Sequence, residues 1–209
     1  MQSYGLTILL TVFLGLSGCE KREITMANEP NAETVKNLES YPVATFGGGC
    51  FWGVEYNFRR VPGVLDTQVG FMGGTVDNPG YKRVCCEDTH HAEVVHLWYD
   101  PEKINYEKLV KIFFLLHDPT TLNRQGPDIG DQYRSAIFYH TPEQKEIDEK
   151  VKRELDASGK FKRPIVTEIT AASQFWKAED YHQRYIEKNP LRMCHIIDMD
   201  EIRRVTEED

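Results

Sequence analysis

Between residues 43 and 60, in VATFGGGCFWGVEYNFRR, a short apolar strand runs through three glycines into a helix. No other stretch constrains the fold as tightly. Val43 to Phe46 reads as the strand, and Cys50 to Arg60 as a helix with Phe51, Val54 and Phe58 on one face. Glycines reach backbone angles that other residues avoid and let another molecule approach closely. The cysteine is thereby set at the helix N-terminus, where free amides and the helix dipole favour an anion. A thiol there loses its proton more readily, and the thiolate is the nucleophile. A buried structural cysteine is the alternative. Adjacent helical residues point about 100° apart, so Phe51 and Trp52 do not face the same surface. Phe51 fits the core stripe. Trp52 either walls a small apolar substrate group beside the thiol or simply packs.

Periodicity along the rest of the chain predicts strands over Leu65 to Phe71, Glu93 to Tyr99, Ser135 to Tyr139 and Ile165 to Thr170. It predicts helices over Tyr106 to His117, Pro142 to Ser158 and Ala178 to Lys188. Glu93 to Tyr99 is apolar on both faces and so is central in its sheet. The loop HDPTTLNRQGPDIGDQ is long for a compact domain, a sign of function or disorder. The order β-α-β-β-α-β-α-β-α implies an α+β fold, a two-layer sandwich of helices on a mixed sheet, for which a ferredoxin-like core is expected. The formal net charge of −8 comes without a basic stripe, which argues against nucleic-acid binding.

The start of the chain has a different character. Residues 1–18 hold an apolar run from Leu6 to Leu16 with the length of a signal-peptide core. Leu16-Ser17-Gly18-Cys19 resembles the lipobox of bacterial lipoproteins, which implies acylation of Cys19. An uncleaved signal anchor is the alternative, since no Lys or Arg precedes the run. Residues 19–40 are polar and read as a flexible tether reaching on the order of 25 Å. The folded domain is expected over 41–195, followed by a tail over 196–209. A lipid-anchored protein in the bacterial cell envelope, periplasmic or on the outer side of the cytoplasmic membrane, is the expected location.

Four segments in order, GGGCFWG, YKRVCCEDTHHAEVV, HDPTTLNRQGPDIGDQYRSAIFY and AEDYHQRYIEKNP, resemble the signatures of the peptide methionine sulfoxide reductase A family. The resemblance spans about residues 42 to 194. It implies reduction of methionine-S-sulfoxide, free or in oxidised proteins, to methionine. By resemblance Cys50 attacks the sulfoxide sulfur, and Phe51 and Trp52 hold the substrate methyl group. Glu93 matches the general acid; on its strand it shares a face with Val95, Leu97 and Tyr99, and burial of that face would keep its proton available. Tyr81 and Tyr133 would bond the sulfoxide oxygen, and Asp128 would shape the pocket. The resulting sulfenic acid would be resolved by Cys194 to a disulfide, which a thioredoxin-like donor reduces. The segment around Cys194 is poorer in glycine than the family's usual version. We expect a monomer with no cofactor and no metal.

CCEDTHH departs from the family pattern at Cys86, Glu87 and His90. Cys85 and Cys86 with His90 and His91 raise a second reading, a surface-tethered metal-binding module. A thiol hydrolase with His91 as base is a third.

Overall fold

The computed structural model describes residues 38–192 and 196–207. Cys19, Cys194, the signal segment and most of the tether lie outside them. In chain order the elements are β1 (Val43–Gly48), α1 (Phe51–Arg59), β2 (Val64–Met72), α2 (Tyr81–Cys86), β3 (Ala92–Tyr99) and α3 (Tyr106–Leu115). A small hairpin of β4 (Arg124–Gln125) and β5 (Asp128–Ile129) follows, then β6 (Ser135–Tyr139), α4 (Pro142–Ala157), β7 (Glu168–Ala171), β8 (Trp176–Lys177), α5 (Tyr185–Lys188) and α6 (Met199–Glu207).

The large sheet runs β7-β6-β1-β3-β2-β8. Its four middle strands pair antiparallel, with α1 joining β1 to β2 and α3 joining β3 to β6. This is the ferredoxin-like core expected from the sequence. α4 then carries the chain to β7, which pairs parallel with β6 and makes the sheet mixed.

Strand β3 lies between β1 and β2, so its two faces serve two cores. Val95, Leu97 and Tyr99 join the main core under the helices, with Phe46, Phe51, Phe58 and Phe113. Val94 and Ala92 join a smaller cluster on the reverse face with Met72, Ala136 and Phe138. Burial on both sides explains the continuous apolar run. In the main core the Phe46 ring stacks on Phe58 at 5.2 Å and on Phe113 at 5.0 Å. Each fully buried side chain of this size contributes about 1.5–3 kcal/mol.

The helix expected over Ala178 to Lys188 is shorter, reduced to α5. The backbone before it has other partners: Ala178 N donates to Val69 O on β2, and the Gln183 amide bonds both Val69 N and Val69 O. Arg184 is left-handed, with φ of 54°, which interrupts any helix. The strand expected over Ile165 to Thr170 is β7, which starts at Glu168. Two helices went unpredicted. α2 is six residues long with one buried side chain, Val84. α6 hides only Ile202 and docks on α3, where Lys108 Nζ donates to Thr206 O.

Candidate active site

Cys50 is the N-cap of α1, half-buried, and forms no disulfide among the described residues. The Cys50 side chain makes no capping hydrogen bond to the helix start. Gly49 makes the entry possible: its φ is +92°, and a Cβ there would lie 2.7 Å from Gln125 Cγ of the β4–β5 hairpin. The hairpin therefore closes down beside the thiol only because residue 49 has no side chain. A cavity of about 690 Å³ opens at this point, lined by Cys50, Val54, Asn57, Leu116, Asp128 and Phe161 among others.

The first free amide of α1 has a partner from another element. Phe51 N donates to Glu93 Oε2 at 3.0 Å. Glu93 stands near the start of β3, opposite Phe71 on β2, and is 1% exposed. It occupies the helix-side face with Val95 and Leu97, as the alternation of β3 requires. Burial of a carboxyl disfavours its charged form, while the amide bond favours it. Glu93 thus places a buried carboxyl at the thiol's own helix end.

The aromatics form one wall. Phe51 is fully buried and reaches both the core and the site: its ring lies 5.8 Å from Phe71, 6.3 Å from Tyr81 and 5.4 Å from His182. Trp52 is fixed at both ends. Its Nε1 donates to His182 Nδ1 at 3.0 Å, and its ring stacks on Tyr185 at 3.8 Å. His182 is 1% exposed, and burial lowers its pKa, so it accepts from the indole as a neutral imidazole. Neither His182 nor Tyr185 was singled out from the sequence. The clue, a histidine and a tyrosine three residues apart, has no meaning until Trp52, 130 residues away from His182, is seen against them.

Tyr81 opens α2. Its backbone N–H donates to Glu179 Oε1 at 3.2 Å and its ring lies 4.3 Å from His182. Burial, a hydrogen bond with Cys85 and the charge of Glu93 push the Tyr81 hydroxyl far above its ordinary range. Tyr133 closes a single 3₁₀ turn, and burial followed by Glu93, Cys85, Asp128 and Cys50 does the same to its hydroxyl. Both therefore keep their protons and remain O–H donors. Asp128 sits half-buried on β5 and lines the cavity with Cys50. The structure thus gathers Cys50, Phe51, Trp52, Tyr81, Glu93, Asp128 and Tyr133 around one helix end.

The residues of CCEDTHH do not converge. Both ring nitrogens of His91 are engaged, Nδ1 by Gly74 N at 3.1 Å and Nε2 by Val76 O at 2.8 Å. His90 turns outward to Asp131 at 3.1 Å. Among the described residues no group of three or more His, Cys, Asp or Glu side chains is placed to hold a metal ion. His91 is equally unavailable as the base of a thiol hydrolase.

Glu55 is a further buried group that sequence reasoning passed over. It accepts from Thr67 Oγ1 at 2.9 Å and from Arg184 N at 2.8 Å, tying α1 to the segment that carries His182. Burial raises its pKa to about 7 against the pull of these bonds.

A half-buried thiol at a helix start, a buried carboxyl bonded to the next amide and two protonated tyrosine hydroxyls beside an aromatic cluster are parts that suit a thiol-dependent oxidoreductase. Residues 42–209 match the family model described as peptide methionine sulfoxide reductase, and the chain belongs to that family. It is accordingly an oxidoreductase that reduces methionine sulfoxide. Among curated relatives, the peptide methionine sulfoxide reductase MsrA of Methanoculleus marisnigri is 60% identical over 162 residues, covering 78% of this chain and 97% of the relative. That of Methanothermobacter thermautotrophicus is 54% identical over 160 residues, 77% of this chain and 95% of the relative. Among solved structures, reduced Mxr1 from Saccharomyces cerevisiae superposes with a TM-score of 0.70 at 38% identity, over 74% of this chain and 88% of that one.

Proposed function

We propose that Cys50 is the nucleophile that reduces methionine-S-sulfoxide, free or in oxidised proteins, and that Glu93 supplies the proton. The observation that carries this reading is the bond from Phe51 N to Glu93 Oε2, which fixes a buried carboxyl at the helix end holding the thiol. The substrate methyl group packs against Phe51 and Trp52, and the sulfoxide oxygen accepts from the Tyr81 and Tyr133 hydroxyls. Asp128 shapes the opposite wall. Sulfoxide oxygen is a poor leaving group until protonated, so the carboxyl is required. In sum, the Cys50 thiol and the sulfoxide become a Cys50 sulfenic acid and a thioether. The substrate sulfur is reduced by two electrons and the Cys50 sulfur is oxidised by two.

Cys194 then attacks the Cys50 sulfur; the S–S bond forms, the S–O bond breaks and water leaves. A thioredoxin-like dithiol reduces that disulfide by exchange. Thiols supply all the electrons, so the scheme needs no bound cofactor. We further propose that the chain is a monomer held in the bacterial cell envelope through acylated Cys19, outside the cytoplasmic membrane. The lipobox-like sequence before Cys19 and the polar stretch after it support this. The test is peptide mapping after exposure to methionine-S-sulfoxide without reductant. A Cys50–Cys194 linkage is expected, together with released methionine. Methionine released with Cys194 still reduced would remove Cys194 as the resolver.

A further inference from the structure

The end of α1 holds the chain at points on either side of Cys194. Arg59 Nε donates to Glu187 Oε1 of α5 at 2.7 Å. Its neighbour Arg60 donates through Nη2 to Ile197 O, also at 2.7 Å. The Ile197 N–H donates to Asn57 Oδ1 at 3.1 Å, and Arg60 Nη2 reaches that same oxygen at 2.7 Å. Both backbone polar groups of Ile197 are thus taken by the last turn of α1. Asn57 is itself fixed: it is 1% exposed, and its Nδ2 donates to Gly53 O at 2.9 Å. Arg60 makes its two bonds while its Nε is buried without a partner, which costs desolvation. The Ile197 side chain is buried in the main core, as is Ile202 beyond it.

We infer, on the reading of Cys194 as the resolver, that Asn57 and Arg60 are positioning residues for disulfide closure and act through Ile197. Cys194 precedes Ile197 by three residues, a stretch of at most about 10 Å. Asn57 follows Cys50 by seven residues, about 10 Å along the axis of α1, and both line the same cavity. The clamp therefore fixes the chain where a three-residue lead matches the distance to the thiol. Without it, the next buried anchor after Cys194 is Ile202, eight residues on. The effective concentration of one thiol at another falls roughly as the −3/2 power of lead length, so the longer lead costs about fourfold or more. The step assisted is a single exchange. The Cys194 sulfur attacks the Cys50 sulfenic sulfur, the S–S bond forms, the S–O bond breaks, and the hydroxyl leaves with the Cys194 proton as water. Asn57 and Arg60 exchange no electrons or protons; they shorten the search.

The experiment compares full-length wild type with Arg60→Met, which keeps a side-chain stem beside Tyr56 and removes both Nη2 bonds. Each protein receives methionine-S-sulfoxide without reductant and is quenched with dimedone over time. The variant should release methionine at the wild-type rate. Its Cys50–Cys194 linkage should form about fourfold more slowly or worse, with the dimedone adduct of Cys50 building up meanwhile. In a Cys194→Ser background with dithiothreitol as reductant, the same substitution should leave turnover unchanged, which a general loosening of the fold would not do. If Arg60→Met fails to fold, Ile197→Pro, which removes the N–H that Asn57 accepts, carries the same expectation. Linkage at the wild-type rate overturns the clamp and leaves Cys194 in place as the resolver. Methionine release slowed as much as linkage also overturns the clamp and assigns these bonds to the stability of α1. A wild type that releases methionine with Cys194 still reduced overturns the resolver, and the clamp with it.

Discussion

The start of α1 and the starts of α3 and α4 solve the same problem in opposite ways. α3 begins at Asn105, whose side chain accepts from Lys108 N at 2.9 Å. α4 begins at Thr141, which accepts from Gln144 N at 3.2 Å, with Pro142 at the first helical position. These are the residues that helix starts prefer, because they satisfy amides that have no partner inside the helix. α1 has Cys50 at the equivalent place and no side-chain cap. Its first amide is satisfied from β3 by Glu93 instead. The position that elsewhere serves stability is here the one proposed for the nucleophile, and the compensation arrives from a strand 42 residues away in sequence.

The sharpest way to break this comparison is Cys50→Ser. We expect all measurable reduction of methionine-S-sulfoxide to vanish. Serine is a preferred N-cap, so stability should hold or rise by up to about 1 kcal/mol, read as a thermal midpoint. A clear fall in midpoint would show that the thiol itself supports the helix, and the contrast with Asn105 and Thr141 would fail. Glu93→Gln comes next. The amide oxygen still accepts from Phe51 N, but the proton donor is gone, so kcat/KM should fall on the order of 10²–10⁴-fold. An unchanged kcat/KM at neutral pH removes Glu93 from that role.

Much of this contrast was legible in the sequence. The face of β3 that hides Glu93 follows from strict alternation with Val95, Leu97 and Tyr99. The glycines before Cys50 mark the strand-to-helix turn. What escaped was set by contacts between distant segments. Ala178 to Lys188 has helical periodicity, yet Gln183 ties it to the edge of β2 and Arg184 turns left-handed. His182 is one histidine among seven in the sequence, and only its bond to Trp52 marks it as part of the site. β8 and α2 are too short to show a period. The metal reading of Cys85 and Cys86 with His90 and His91 fails on contacts invisible in sequence, since His91 is locked between Gly74 and Val76.

The helices with proper caps carry their own strain, of a different kind. Asp148 of α4 is fully buried, and the Tyr106 hydroxyl of α3 donates to its Oδ2 at 3.3 Å. Burial raises the Asp148 pKa from 3.8 to about 7, with Glu149 adding to it and Tyr106 opposing it. Between those two values the unfolded chain gives up this proton while the folded one keeps it. The contribution of Asp148 to stability is therefore present below about pH 4 and is lost as pH rises through about 7. Glu55, also raised to about 7, tilts the same way, and His96, lowered to about 4, tilts the opposite way. Asp148→Asn isolates one group. Relative to wild type it should gain on the order of 2–4 kcal/mol at pH 8 over its value at pH 4, in denaturant unfolding followed at both. Parallel pH curves for the two proteins would mean that the pair ionises in the fold without cost.

Thr141→Ala tests the other half of the comparison. It removes the acceptor for Gln144 N and should cost about 1 kcal/mol, or about 2–4 °C in thermal midpoint for a chain of this length. The Gln144 side chain limits the damage. Its Oε1 accepts from His140 N at 2.7 Å and its Nε2 donates to Val43 O at 2.7 Å, so the start of α4 stays tied to β1 when the threonine hydroxyl is gone. Because that tie ends on the first residue of β1, five residues before the glycine run finishes at its last strand position, Gly48, a weakened cap should leave Cys50 undisturbed. kcat/KM is expected to stay at the wild-type value below the melting range. A loss of activity that tracks the loss of stability would mean that the structural caps and the reactive helix start are mechanically linked through β1, and that stability and reactivity are not divided between helices after all.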